Sequence, residues 1–290
     1  MSRLAERASV DQILVAARRR LRRASFEPSQ REAMLLLTHV SGLDEVHLLT
    51  HPDRHLDPEV VTRFESLLAR RLDGEPVAYL TGRREFFGRS FEVDERVLVP
   101  RPETEHLVET ALALPLPRRA RILDVGTGSG CVAITLAVER PDAVVTATDR
   151  SLGALAVAAR NCRRHEVGRR VRLLGADLAE GLELVDFDLV VTNPPYIPPE
   201  ERATLSPEVR DFEPPEALFA PPGRVTLLER LLDGLARLPV ATPVAVELGS
   251  GQAELLPSIL DRTGFELVRL VPDYAQIPRV ALLCRTAGDI

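Results

Sequence analysis

The chain has 290 residues, which allows one large domain or two of ordinary size, and 45% of them are hydrophobic, enough for a packed core. The net charge of −6 provides no basic field for general nucleic-acid binding, and because all 37 basic residues are Arg, a Schiff-base lysine and a lysine phosphate loop are excluded. The cysteines Cys131, Cys162 and Cys284 lack metal-binding spacing and no apolar run reaches the ~20 residues of a bilayer span, so we expect a cytoplasmic protein without a metal site.

The first part of the chain has the periodicity of amphipathic helices. Apolar residues recur at helical spacing from Ile13 to Leu21, and the arginines between them are more typical of a solvated helix face than of a nucleic-acid arm. His51 and His55 flank Pro52, which favours a solvated loop over a metal pair.

Two further helix starts can be identified in this part. Ser29 with Glu32 predicts a capping box, and Asp57 followed by Pro58 predicts the start of a helix that continues to Gly74. We therefore predict an N-terminal helical substrate-recognition domain over residues 1–84.

Residues 85–100 change to a strand pattern. Glu85 to Val93, with Gly88 in the turn, predicts a β-hairpin, and Val97 to Val99 predicts a further short strand. We interpret residues 85–100 as a hairpin linker. The following Pro100-Arg101-Pro102 is a stiff corner, which either fixes a loop beside a site or serves as a rigid connection between domains.

From residue 101 to 290 the chain alternates strands and helices, which predicts a mostly parallel sheet covered by helices on both faces. The segment between the last two strands, Pro272 to Pro278, is too short for a crossover helix, so these strands are expected to pair antiparallel. Strands are predicted at 121–125, 144–148, 171–174, 187–192, 244–248, 266–271 and 280–284, and helices at 131–138, 152–162, 225–238 and 252–262.

A glycine turn follows the first of these strands. Gly126, Gly128 and Gly130 let the backbone turn tightly and leave room for a ligand, and Thr127 and Ser129 lie between them. The spacing is GxGxG, whereas a dinucleotide fingerprint needs a glycine at Cys131. With Asp124 just before the turn, a ligand that carries an ammonium group fits better than a pyrophosphate.

Acidic residues follow the next two strands. Asp149 lies 23 residues after Gly126, where a carboxylate can accept ribose hydroxyls, and Asp177 with Leu178 can meet the edge and face of an adenine. Three acids at successive strand ends specify S-adenosyl-L-methionine (SAM) better than NAD.

The strand at 187–192 ends abruptly in Asn193-Pro194-Pro195-Tyr196, because prolines donate nothing to a strand ladder. The Asn193 side-chain oxygen and the Pro194 carbonyl offer two acceptors for a planar NH2 group, and Tyr196 can cover one of its faces. A plain strand-ending turn is the alternative, which the glycine turn upstream makes less favoured.

These motifs together resemble those of class I SAM-dependent methyltransferases that modify planar nitrogens. The wider set resembles the HemK/PrmC family, which methylates the glutamine side-chain amide in the Gly-Gly-Gln motif of class I peptide chain release factors. That set comprises Glu75 to Gly82, Glu85 to Gly88, Leu98 to Glu105, Arg210 to Pro214, Glu247 to Gly249 and Gln252.

The resemblance implies a Rossmann-like α/β fold with seven strands, the last antiparallel, and a small N-terminal helical bundle. It implies SAM contacts at Gly126 to Gly130, Asp149, Leu178 and Asn193, and a target amide held by Asn193 to Tyr196. The product would be S-adenosyl-L-homocysteine, with no metal, membrane or nucleic-acid partner. The chain departs from the family pattern at Ala217 to Val225, which puts the shape of that loop in doubt.

Two other functions are compatible with parts of the pattern. A methyltransferase of adenine or cytosine uses the same tip on a flipped base, but predicts a basic groove. A SAM-binding module without catalysis would not require the Asn193 to Tyr196 tip.

Overall fold

The computed structural model describes residues 8–220 and 226–286, and within it the chain forms two compact units. The helical unit comprises Met1–Gly82 with Ser206–Phe212, and the sheet unit comprises Arg83–Leu205 with Glu213–Ile290. The sequence-based limits at residues 84 and 100 differ from this division chiefly at Ser206–Phe212, and the roles predicted for the domains remain predictions. The atypical loop at Pro221 to Val225 lies outside the described residues.

The seven strands predicted for the sheet and the four helices predicted among them are present in that order, together with helices that were not predicted. The helices are α1 (Val10–Arg23), α2 (Ser29–Ser41), α3 (Glu45–Thr50), α4 (Pro58–Leu72), α5 (Val77–Thr81), α6 (Glu105–Leu112), α7 (Cys131–Glu139), α8 (Leu152–Arg164), α9 (Pro207–Phe212), α10 (Pro215–Leu218), α11 (Leu227–Gly234) and α12 (Leu256–Thr263). The strands are β1 (Arg83–Phe86), β2 (Arg89–Glu92), β3 (Arg121–Val125), β4 (Val144–Asp149), β5 (Val171–Gly175), β6 (Leu189–Thr192), β7 (Val244–Glu247), β8 (Phe265–Pro272) and β9 (Pro278–Arg285).

The helical unit is built on the apolar stripes of its helices. In α1 the apolar residues that recur at helical spacing are buried. The arginines of its last turn lie at the C-terminal end, where the helix dipole favours positive charge. Helix α4 begins as predicted, with the Asp57 carboxylate accepting the backbone N–H of Glu59 at 2.8 Å and Pro58 in the first turn. Helix α5, which the sequence did not predict, ends at Gly82 in a left-handed conformation.

The capping box predicted at Ser29 was wrong. Ser29 is itself the first residue of α2 and is buried, and Pro28 precedes it without a side-chain cap. The Glu32 carboxylate is not available to cap, because it accepts two hydrogen bonds from Arg71 at 2.9 and 2.7 Å. A capping box is instead formed at the start of α1 by Ser9 and Gln12.

The sheet unit contains a seven-stranded sheet in the order β5-β4-β3-β6-β7-β9-β8. All neighbours from β5 to β7 pair in parallel, and β9 pairs antiparallel with both β7 and β8, which confirms the predicted fold. The two faces carry separate apolar clusters, since Ile122 packs into one and its neighbour Leu123 into the other. No helix within the described residues is long and apolar enough to cross a membrane.

The short strand predicted at Val97 to Val99 was wrong, whereas the hairpin β1-β2 was predicted correctly. Val97 and Val99 are buried as the alternating pattern indicated. The backbone of Val97 is in a turn, where its N–H donates to the Asp94 carbonyl, and the N–H of Val99 donates to the Glu213 carboxylate at 3.3 Å. A side-chain acceptor therefore takes the place of a strand partner.

Candidate active site

A cavity of about 270 Å³ opens at the carboxyl ends of the parallel strands, close to the lower limit typical of small-molecule sites. Strand order reverses between β3 and β6, and this switch point is where open α/β sheets bind ligands. Predicted site residues that line the cavity are Gly126, Thr127, Gly128, Ser129, Asp149, Asp177, Leu178, Asn193 and Pro195. Gly130, Pro194 and Tyr196 are not among its lining residues.

The three glycines of the turn have different roles, although each has a positive φ of 54° to 82°. A Cβ added at Gly126 or Gly128 would meet nothing within 4 Å, so both positions leave space for a ligand. A Cβ at Gly130 would lie 2.9 Å from Ile134 and 3.2 Å from Ala158. Gly130 therefore permits helix packing, whereas Gly126 and Gly128 keep the cavity open.

Asp124, at the end of β3, is a buried carboxylate beside the cavity. It accepts a hydrogen bond from the Thr127 hydroxyl at 2.7 Å. Burial raises the pKa of Asp124 to about 7, against the opposing effect of the hydrogen bonds from Thr127 and the backbone of Ala133. A cation bound nearby would compensate the charge of the ionised form.

Asp149, at the end of β4, fixes the glycine turn by a hydrogen bond to its backbone. Its two oxygens accept backbone N–H groups of Gly128 and Ser151, each at 2.9 Å. Burial raises the pKa of Asp149 in spite of these bonds. Each carboxylate oxygen retains a lone pair for a ligand hydroxyl.

Asp177 and Leu178 occupy the cavity edge beyond β5. The Asp177 carboxylate forms a partly exposed ion pair with Arg230 at 2.9 Å. Leu178 has a φ of +57°, a conformation that non-glycine residues rarely adopt, and its carbonyl accepts the Thr148 hydroxyl at 3.0 Å. The backbone is thus fixed at this edge of the cavity.

The strand-end amide Asn193 is oriented by a neighbouring threonine. Its Nδ2 donates to the Thr104 hydroxyl oxygen at 3.3 Å, which leaves Oδ1 as the amide atom for a ligand. Pro195 lines the cavity, whereas Pro194 is buried. The catalytic roles predicted for these residues remain predictions.

Tyr196 is fixed by the turn after β7. A Cβ added to Gly249 would lie 2.5 Å from the Tyr196 ring, so only a glycine leaves room for it. Gln252 accepts the Gly249 N–H at 2.9 Å and donates to the Tyr196 carbonyl at 3.5 Å. This places the Glu247 to Gly249 motif and Gln252 directly behind the tip.

The Pro100-Arg101-Pro102 corner lies beside the cavity. This favours its interpretation as a segment that fixes a loop beside a site over that of a rigid connection between domains. Pro100, Arg101 and Thr104 line the cavity, and Arg101 forms an ion pair at 2.5 Å with buried Glu213. Glu213 belongs to the Arg210 to Pro214 segment that carries the family resemblance, but the sequence did not predict a role for it. The feature that could have indicated one is an acid directly before Pro214.

Glu247 was also missed as a site residue. Its carboxyl group is buried at the end of β7. The hydroxyl of Thr104, which accepts the hydrogen bond from Asn193, opposes the rise that burial causes in the pKa of Glu247. The sequence signal was an acid within the apolar strand Val244-Ala-Val-Glu247. Among the residues at 8–220 and 226–286, no cluster of three or more His, Cys, Asp or Glu has a geometry that could hold a metal ion.

Comparisons with known proteins agree over most of the chain. A family model described as the PrmC N-terminal domain matches residues 12–82, and one described as the methyltransferase small domain matches residues 103–206. A release factor glutamine methyltransferase of Nitratidesulfovibrio vulgaris is 44% identical over 73% of this chain and 72% of its own. Those of Koribacter versatilis and Geobacter sulfurreducens are 41% and 40% identical, each over 89% of this chain and 92% and 90% of theirs.

Among solved structures, the hMettl16 catalytic domain in complex with the MAT2A 3′UTR hairpin 1 resembles this fold. It matches with a TM-score of 0.53 at 18% identity, over 79% of this chain and 81% of that chain. At this identity the likeness concerns the fold alone.

Proposed function

This chain belongs to the release factor glutamine methyltransferase family, and we propose on that premise that it methylates the side-chain amide nitrogen of the glutamine in the Gly-Gly-Gln motif of peptide chain release factors. The observation that carries the proposal is that Asn193 lines the same cavity as the glycine turn and the acids at three successive strand ends. A site that only bound SAM would not need an amide acceptor there.

The residues around the cavity fit SAM, the methyl donor of this family. Open space at Gly126 and Gly128 leaves the backbone accessible, and Asp124 and Asp149 offer carboxylates for its ammonium group and ribose hydroxyls. Leu178 supplies an apolar surface for its adenine, with Asp177 at the adenine edge. When bound, SAM supplies a methyl group on a sulfonium and becomes S-adenosyl-L-homocysteine.

The chain's own contribution to the reaction is positioning. An amide nitrogen is a poor nucleophile because its lone pair is delocalised. The Asn193 Oδ1 and the Pro194 carbonyl would accept its two N–H bonds, turn the lone pair toward the donor and stabilise the positive charge that develops on nitrogen. Pro195 and Tyr196 would enclose the amide. The amide proton is then acidic enough to pass to water, so the proposal needs neither a dedicated base nor a metal.

The partners we propose are class I peptide chain release factors, bound with the help of the helical unit. The match of residues 12–82 to the PrmC N-terminal domain supports this role. We expect a cytoplasmic enzyme without a membrane partner. The net charge of −6 supports the expectation that nucleic acid is not bound directly.

The test is transfer of labelled methyl from SAM to a purified release factor, beside its Gln→Ala variant at the Gly-Gly-Gln motif. DNA and rRNA serve as parallel substrates. Label on the intact factor alone is the expected result. Label on nucleic acid, or equal label on the Gln→Ala variant, would contradict the proposed substrate.

A further inference from the structure

Glu247 lies behind the amide tip, and the mechanism above does not use it. It ends β7, a central strand between β6 and β9 whose other residues are apolar and fully buried. Only 3% of Glu247 is exposed, and its Oε2 has no hydrogen-bond partner among the described residues. Burying a carboxyl group at such a place lowers stability unless the group is fully hydrogen-bonded or paired, so its presence points to a role other than stability.

A short hydrogen-bond chain connects Glu247 to the site. The buried Thr104 hydroxyl lies beside the Glu247 carboxyl group and lowers its pKa, and the Thr104 oxygen accepts a hydrogen bond from Asn193 Nδ2 at 3.3 Å. The three residues come from β7, the corner before α6, and the end of β6. They are far apart in sequence, so the fold must bring them together.

The direction of this chain follows from counting protons. An ionised carboxylate only accepts hydrogen bonds, so Thr104 must give Glu247 its one hydroxyl proton. The Thr104 oxygen is then left as an acceptor, and the group it faces on Asn193 must be the NH2. The carboxylate at the end of the chain therefore determines which way round the Asn193 amide lies.

We propose that Glu247 is a positioning residue that acts through Thr104 to keep the Asn193 Oδ1 directed toward the substrate. The two ends of an asparagine amide are similar in shape, so packing alone selects weakly between them. In the reversed orientation Asn193 would present N–H groups to the NH2 of the target glutamine, a pairing of donors. The inference rests on the role proposed above for Asn193.

The surroundings of Glu247 shift its ionisation to near-neutral pH. Burial raises the pKa of Glu247 to about 7, the hydrogen bond from Thr104 opposes this rise, and the charge of Glu103 adds to it. Protonation would let the Glu247 hydroxyl donate to Thr104, which removes the constraint on Asn193. The charged and titratable groups that face Glu247 are Glu103, Arg101, Arg279, Tyr196 and Cys131.

The test uses the full-length enzyme with a release factor as substrate and compares Glu247→Gln, Thr104→Val and Thr104→Ser. We expect the first two to lower kcat by about 10- to 100-fold, the range for loss of a group that orients a catalytic residue. Their affinity for SAM should stay within about threefold of the wild type. Thr104→Ser keeps the hydroxyl and should restore most of the activity.

Two further readouts separate positioning from simple loss of structure. The double variant Glu247→Gln/Thr104→Val should have about the same kcat as the slower single variant, because both substitutions interrupt the same link to Asn193. The wild-type kcat should fall as the pH drops below about 7, and Glu247→Gln should lose this dependence. Glu229→Gln is the matched control, a buried glutamate paired with Arg262 and Thr226, which should keep the wild-type kcat.

The inference is overturned if Thr104→Val keeps kcat within about twofold of the wild type, or if the two effects multiply in the double variant. If Glu247→Gln does not fold, Thr104→Val and its serine counterpart carry the test alone. Failure of the proposed function is a different result, since the wild-type enzyme would then not methylate the release factor at all.

Discussion

The buried charges of the molecule are compensated in two different ways, and Arg71 in the helical unit and the acids behind the cavity in the sheet unit are the clearest examples. In the helical unit the Arg71 guanidinium is 3% exposed and bonds Glu32 through two contacts and Glu208 at 2.8 Å, with the Phe26 ring 4.0 Å away. In the sheet unit Asp124 and Glu247 are equally buried, but their side-chain partners are the hydroxyl groups of threonines.

The difference indicates which charges are structural and which are held for function. A buried acid bonded to an arginine is compensated in the protein itself and holds helices together. A buried acid that lacks an arginine partner at ion-pair distance keeps a raised pKa, about 7 for both Asp124 and Glu247, and so remains responsive to a ligand. Perturbed acids of the second kind gather at the carboxyl edge of the sheet, where the cavity lies.

The largest effect on stability is expected from removing the compensating charge. Arg71→Met leaves Glu32 and Glu208 without their cation and should lower the free energy of unfolding by about 3 to 5 kcal/mol. Urea denaturation measures this. Arg20→Met, which breaks an exposed pair with Glu65, is the control and should cost less than about 1 kcal/mol. Equal costs for the two variants would mean that the buried network is not structural.

In the sheet unit, replacing the buried Asp124 is expected to raise the free energy of unfolding, by an amount that depends on pH. The pKa of Asp124 is about 7 in the folded protein, above the value near 4 of an unfolded chain. Between those values the folded state retains a proton that the unfolded state has lost, so the free energy of unfolding falls as the pH rises from about 4 to about 7. Above about 7 both states are ionised and the decline ends.

Asp124→Asn removes this titration. Relative to the wild type, the variant should gain up to about 4 kcal/mol as the pH rises through that window, while its affinity for SAM falls. Denaturation and SAM titration at several pH values check both parts. A variant whose stability relative to the wild type did not change with pH would contradict the raised pKa of Asp124.

The smallest predicted cost concerns the fit of Tyr196. Gly249→Ala places a Cβ at 2.5 Å from the ring, so Tyr196 must move, at a cost of about 1 to 3 kcal/mol. Methylation should slow while SAM affinity is retained, because Tyr196 does not line the cavity. Gly234→Ala, where a Cβ meets nothing within 4 Å, is the matched control. Unchanged turnover in Gly249→Ala would remove Tyr196 from the site.

The sequence predicted the parts of the molecule that depend on local patterns. Strand and helix alternation fixed the sheet, and the glycine turn, Asp149 and Asn193 were identifiable because each follows directly after an apolar strand. The errors occurred where a distant side chain replaces a local partner. The Glu213 carboxylate accepts the backbone N–H of Val99, where a strand partner was expected. Arg71 donates to the Glu32 carboxylate, which was expected to cap a helix.

The link from Asn193 through Thr104 to Glu247 could not be predicted for the same reason. Thr104 and Asn193 are 89 residues apart, and nothing local in either segment indicates the partner. Only the parallel register of β6 with β7 brings Asn193 and Glu247 to the same edge of the sheet. Hydrogen-bond chains of this kind are properties of the folded topology.

The most direct test of the proposed chemistry is Asn193→Ala, measured for turnover and for SAM affinity in the same preparation. Because Asn193 acts on the target amide, kcat should fall by about 10³-fold while the dissociation constant for SAM changes by no more than about threefold. Turnover close to that of the wild type, or a loss of turnover matched by an equal loss of SAM binding, would contradict the positioning role of Asn193.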